Sequence, residues 1–266
     1  MCIRDRVKHL SNAALDKLED SASIGKQNKK LAFTTNSYVV APLFFRGGDI
    51  GKLSVCTTIN NLCASGAAPV AISLGLIAEE GLPFSVLEKV ISSVKEASAE
   101  AKVRVVAGDT RVLEKDSIDK LMINTSAVGV AIPGLRVSLN RVRAGDVVLV
   151  SGSVGNHGVA VACEREGLEF EKGVASDVAP LNMLVEELVR SGVSLRCLKD
   201  ATRGGLAAAL SRIAGASGVE IEIDRYLIPV RPEVEEICEM LGYDPLYVPN
   251  AGVMAVSYTH LTLPTN

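Results

Sequence analysis

The sequence has no apolar run approaching the roughly 18 residues that a membrane-spanning helix requires, and the stretch 31–40 is too polar to serve as one. Its six cysteines, Cys2, Cys56, Cys63, Cys163, Cys197 and Cys238, form no CxxC pair. That argues against zinc sites and a disulfide framework, and for reduced thiols packed as small hydrophobes. There is no large charge of either sign. A formal charge of −3, with 48% hydrophobic and 22% charged residues, excludes a disordered chain and gives a polyanion nothing to bind. No internal repeat is evident. These absences lead us to expect a cytoplasmic protein with neither nucleic acid nor membrane as partner.

What is present is enough chain for two domains: 266 residues can bury two modest cores. Alternation predicts a strand at 30–40, and Ile50, Leu53, Val55, Cys56, Ile59 and Cys63 predict a helix over 49–65. A strand at 70–78, a helix at 82–101, a short buried strand at 103–107 and a strand at 121–132 follow. Pro133-Gly134 and the charged stretch 136–143 break the pattern. Beyond it come a strand at 145–152, helices at 156–166, 176–190 and 202–216, a strand at 219–224 and a helix at 232–241. We therefore expect an N-terminal domain over 7–133 and a C-terminal domain over 144–255. Residues 1–6 and 256–266 resemble translated adapter read-through and are set aside from the fold reading as a fusion scar would be.

Three loops place an aspartate beside or within two residues of Gly or Thr at the edge of an apolar element: Arg46-Gly47-Gly48-Asp49-Ile50-Gly51-Lys52, Ala107-Gly108-Asp109-Thr110-Arg111 and Asp200-Ala201-Thr202-Arg203-Gly204-Gly205. Two glycines before a helix leave its first N–H groups open to a phosphate, and aspartates in such places hold Mg²⁺. A nucleotide is the ligand to expect. Each residue also has a plainer role: Asp49 as a helix-start residue, Asp109 and Thr110 as a turn cap, Asp200 as a helix cap. Cys56 and Cys63 fall on the apolar side of their helix and are read as core. His157 is read as structural.

These motifs, in this order, together with Phe33-Thr34-Thr35-Asn36-Ser37-Tyr38, Glu79-Glu80-Gly81-Leu82-Pro83, Asn156-His157-Gly158 and Ala179-Pro180-Leu181-Asn182, resemble the hydrogenase expression/formation protein HypE family. Its members are ATP-dependent carbamoyl dehydratases of the aminoimidazole ribonucleotide synthetase-like, or PurM-like, superfamily. The resemblance implies an α+β fold of two domains, the N-terminal one a half-barrel completed by a second subunit in a homodimer, and ATP with Mg²⁺ in the cleft. It implies a carbamoyltransferase partner that loads a C-terminal cysteine, conversion of that S-carboxamide to thiocyanate, and delivery of cyanide to an iron-scaffold complex of [NiFe]-hydrogenase maturation. The family's glycine-rich N-terminal segment and cysteine tail are expected to lie outside this sequence. Ribonucleotide cyclo-ligases and selenophosphate synthetases share the superfamily, but 44–51 and 79–83 are closer to the hydrogenase-maturation branch.

Carried over by motif, the nucleotide-binding positions are Gly48, Asp49, Lys52, Asn60, Asp109, Thr110, Asp200 and Arg203, the metal positions Asp20, Asn36 and Asp200, and the catalytic positions Asn61, Arg111 and Ala251. Several depart from the family. Asn36, Asn61 and Asn156 stand where it has Asp, Arg111 where it has Lys, and Ala251 where it has Glu. An amide keeps an acceptor but loses the charge that holds Mg²⁺, arginine cannot give up its proton, and alanine can be no base. The alternative reading is therefore a catalytically impaired paralogue that acts as a nucleotide-binding or interaction module.

Overall fold

The computed structural model describes residues 22–24, 30–170 and 173–259. Its first layer is a five-stranded sheet in the order β1-β2-β7-β5-β6, from β1 (Ala22–Ile24), β2 (Leu31–Tyr38), β5 (Ala67–Glu79), β6 (Arg104–Leu113) and β7 (Leu121–Ala131). Only β5 and β6 pair in parallel, and helix α2 (Phe84–Glu100) makes the crossover that such a pair needs. A two-stranded ribbon, β3 (Phe44–Phe45) with β4 (Gly48–Asp49), leads into helix α1 (Ile50–Ala64).

Helix α1 organises the molecule. All its residues except Lys52 and Leu53 are buried, as befits a helix with partners on every side. One face lies on β2, β5 and β7. The other meets the second domain through β9 (Leu195–Asp200) and α4 (Asn182–Arg190). Its Val55, Ile59, Leu62 and Cys63 share one core with Val178, Leu181, Leu198, Met254 and Val256, so the two domains are packed through α1 rather than tethered.

The second domain holds a three-stranded antiparallel sheet, β8-β10-β9, from β8 (Asp146–Val150), β9 and the central β10 (Met254–Thr259). Around it lie α3 (Asn156–Glu166), α4, α5 (Gly205–Ser217) and α6 (Pro232–Leu241). Strand β10 continues through Val256–Thr259, part of the stretch set aside above. It pairs there on both sides, so those residues belong to the fold.

Three expected elements differ. The strand at 103–107 is ten residues long and exposed throughout, because β6 is an edge strand. The helix at 176–190 starts only at Asn182. Pro180 lacks an N–H, and the backbone before α4 bonds elsewhere, Ser176 N donating to Arg46 O at 2.8 Å and Leu181 N to Asn60 Oδ1 at 2.7 Å. The stretch 219–224 has no ladder partner among the described residues and leads into a 3₁₀ turn at Arg225–Leu227.

Candidate functional site at the domain seam

Asp49 does cap a helix, and in doing so fills the anion position itself. Its Oδ1 accepts from Gly51 N at 2.6 Å and Lys52 N at 3.2 Å, and its Oδ2 accepts from Ser93 Oγ. The first N–H of α1, on Ile50, donates to Leu43 O at 2.9 Å. The N-terminus expected to be open is thus closed by its own carboxylate. Gly47 and Gly48 serve packing. Gly47 has φ +92 and a side chain there would meet the backbone of Ser176 at 2.8 Å, while one at Gly48 would meet Val178 at the same distance.

Asn60 clasps the two domains. Its Nδ2 donates to Ala179 O at 3.0 Å and Ala251 O at 3.2 Å, and its Oδ1 accepts from Leu181 N. Both amide hydrogens are used, which leaves none for a nucleotide. Ala251 is buried here, and its N–H and that of Gly252 donate to Asp177 Oδ2 at 2.9 and 2.7 Å. Asp177 Oδ1 and Asn156 Oδ1 are buried with no hydrogen-bond partner. Asp177 was not singled out from sequence. Its Ser-Asp setting reads as an ordinary turn until the fold brings 250–252 against it.

The next residue of α1, Asn61, opens a polar network. Asn61 Nδ2 donates to Asn36 Oδ1 at 3.1 Å, and Asn36 Nδ2 donates to Thr34 Oγ1 at 3.4 Å and Thr58 Oγ1 at 3.5 Å. Thr58 Oγ1 is also 2.7 Å from Tyr38 Oη and 2.5 Å from Thr125 Oγ1. Burial pushes the Tyr38 phenol well up, and the charge of nearby Asp200 adds to the effect. Asp200 itself pairs with the buried ammonium of Lys199 and accepts from Thr202 Oγ1 at 2.7 Å. Lys199 is the only buried Lys or Arg among the described residues. Sequence reading missed it, since only burial sets one lysine apart from the others.

The structure thus brings Asn36, Asn61 and Asp200 together with Asn60 and Ala251 on the seam. It does not bring Asp109, Thr110 and Arg111 there. They lie on β6, where Arg111 Nε and Asp109 Oδ2 are 3.6 Å apart with side chains 77% and 76% exposed. Arg203 is exposed in the turn before α5. Asp20 lies outside the described residues.

A protein-held Mg²⁺ does not fit what is described. Asn36 and Asn61 are neutral and joined by a hydrogen bond, and Asp200 is paired with an ammonium. No group of three His, Cys, Asp or Glu gathers among the described residues. Two carboxylates placed like this amide pair would repel by about 5 kcal/mol at an effective dielectric of about 20, which is why such a pair needs a cation. The amides need none.

His157 is buried, its Nδ1 2.9 Å from Ser176 Oγ and its ring edge-on to Phe45. Burial lowers its pKa below the usual 6.5, against the opposing pull of Asp177, so the ring is neutral at pH 7. Cys56 and Cys63 are core residues as expected, their thiols pushed up to about 12 by burial. Two cavities lie elsewhere. One of about 620 Å³ is lined by Lys30, Arg136 and Arg141 near the C-terminal ends of α1 and α5, and one of about 520 Å³ by His157, Arg165 and Tyr247.

No helix among the described residues is long and apolar enough to cross a membrane. Models of the AIR synthase related protein match this chain twice, the N-terminal domain at 18–131 and the C-terminal domain at 143–259. The carbamoyl dehydratase HypE of Azotobacter vinelandii is 44% identical over 243 residues, 91% of this chain and 71% of the relative. A HypE chain from the crystal structure of a HypE–HypF complex superposes with a TM-score of 0.92 at 43% identity, covering 96% of this chain and 83% of that one. HypE in complex with ATP superposes with a TM-score of 0.85 at 41% identity, covering 96% and 76%. The chain belongs to the AIR synthase-related proteins and, within them, to the HypE carbamoyl dehydratase family.

Proposed function

We propose that this chain acts in [NiFe]-hydrogenase maturation, holding ATP at the seam between its domains and dehydrating a cysteine S-carboxamide to thiocyanate. The observation that carries this reading is the likeness to HypE along nearly the whole chain, an ATP-bound HypE among the matching structures. ATP supplies a phosphoryl group to the amide oxygen, a poor leaving group until it is phosphorylated. Loss of phosphate and two protons from nitrogen then leaves the nitrile. The Lys199 ammonium and the Thr202 hydroxyl are the donors nearest Asp200 and would steady phosphate charge. Asp177, with one buried oxygen unpartnered, stands where Ala251 offers no carboxylate.

Two copies would pair through the outward face of the five-stranded sheet, with the sequence dividing near 134–143. Exposed Phe33 and Leu113 on that sheet support the dimer. A carbamoyltransferase would load the cysteine and an iron scaffold receive the cyanide, in the cytoplasm. The test is to supply an S-carboxamide cysteine peptide and ATP and follow loss of one water by mass spectrometry. ATP-dependent conversion above a no-enzyme control is expected.

A second reading is favoured by the neutral, mutually bonded amides at Asn36 and Asn61: a paralogue that keeps the nucleotide pocket and has lost turnover. It predicts ATP binding without conversion of the peptide.

A further inference from the structure

We propose that the Asn36–Asn61 amide pair stands in for a divalent cation, so that in this chain an amide N–H makes the bridge that a metal would make between two carboxylates. The geometry is specific. Asn61 donates to the Asn36 carbonyl, and Asn36 passes its own donors to the Thr34 and Thr58 hydroxyls, so every donor in this chain of bonds is an amide N–H. Thr58, Tyr38 and Thr125 complete the network without an ionised group. A cation inserted here would find two amide carbonyls and hydroxyls, and would have to break the bond that orders the pair. Neutral oxygens alone hold a hard cation poorly, since carboxylate charge supplies most of the affinity.

Charge beside the amide pair is instead balanced within the protein: Lys199, buried against Asp200, is a counter-charge that chelators cannot remove. For its phosphate arm the proposal rests on the nucleotide reading above: ATP binding by this chain is then insensitive to whether the protein itself can hold a metal at Asn36. The amide pair and its cation independence stand without that reading.

The test uses the full chain and Tb³⁺, whose emission a nearby tyrosine sensitises. Tyr38 is one hydrogen bond from Thr58, which in turn contacts Asn36. The wild type is expected to give no saturable Tb³⁺ emission above an Asn36→Ala control, and no change of melting temperature when EDTA is replaced by Mn²⁺. The double variant Asn36→Asp/Asn61→Asp is expected to melt lower in EDTA, to recover in Mn²⁺, and to bind Tb³⁺ at least about tenfold more tightly than the wild type. Saturable wild-type emission that Mn²⁺ displaces and Asn36→Ala removes would overturn the proposal, as would a folded double variant with no gain. If the double variant does not fold, Asn61→Asp alone takes its place, with a smaller gain expected and no gain counting against. A parallel ATP titration in EDTA and in Mg²⁺ separates the two readings. A chain that binds no nucleotide in either sinks the function proposed above and leaves the Tb³⁺ result to decide this one.

Discussion

The seam around α1 and the outer strand β6 carry motifs of equal standing in the sequence, yet they differ in kind. At the seam, Asn60, Asn61, Asn36 and Asp200 are buried or half-buried and each is bonded to a named partner. On β6, Asp109 and Arg111 stand in solvent with only each other. A buried polar group must find a partner to offset its lost hydration, whereas an exposed pair contributes little. The seam is therefore a device for joining two domains, and it is there that we propose the nucleotide is held. The β6 residues become part of a site only when something covers them, and a second copy of the chain is the covering we propose.

The sharpest way to break this contrast is Gly252→Ala, because an added Cβ would lie 1.9 Å from Asp177 O. Loss of at least about 4 kcal/mol, or failure to fold, is expected in denaturant titration. Next comes Asn60→Ala, which leaves Ala179 O, Ala251 O and Leu181 N without their partner. A loss of about 3 kcal/mol is expected, and a second transition in the melt would show the domains parting. Asp49→Ala removes the cap of α1 and should cost about 1–2 kcal/mol. It tests whether this carboxylate holds the helix rather than a ligand.

The pH dependence is smaller. His157 binds its proton less readily folded than unfolded, since burial lowers its pKa below 6.5. Below pH 6.5 the unfolded chain takes up the proton first, so stability falls as the pH drops through that value and is constant above it. Melting temperatures at pH 5.5 and 7.5 should differ less in His157→Gln than in the wild type. Smallest of all is Arg111→Ala, within about 0.5 kcal/mol of wild type by the same titration. A large loss there would erase the distinction between seam and strand.

Much of the fold was legible because its signals are local. The helices at 156–166 and 232–241 match α3 and α6 residue for residue, the second marked by Pro232 at its start and Gly242 with φ +70 at its end. The misses are non-local. Nothing in 176–181 shows that Ser176 N will bond Arg46 O and Leu181 N will bond Asn60 Oδ1 rather than extend a helix. The exposure of β6 depends on its edge position, and β9 is hidden in the sequence because Leu195–Asp200 carries three charged residues, Arg196, Lys199 and Asp200, that only the tertiary fold accommodates. In the site, resemblance found Asn36, Asn61 and Asp200, but Lys199 and Asp177 needed the fold, as did the finding that Asp49 and Asn60 are already fully bonded.

The most direct test of the account is a calorimetric titration of the wild-type chain and of Lys199→Met with ATP. The account predicts saturable binding by the wild type and at least about tenfold weaker binding once the buried ammonium is gone, a difference of about 1.4 kcal/mol. No binding by the folded wild type, or equal binding by both proteins, would contradict a nucleotide site at the seam.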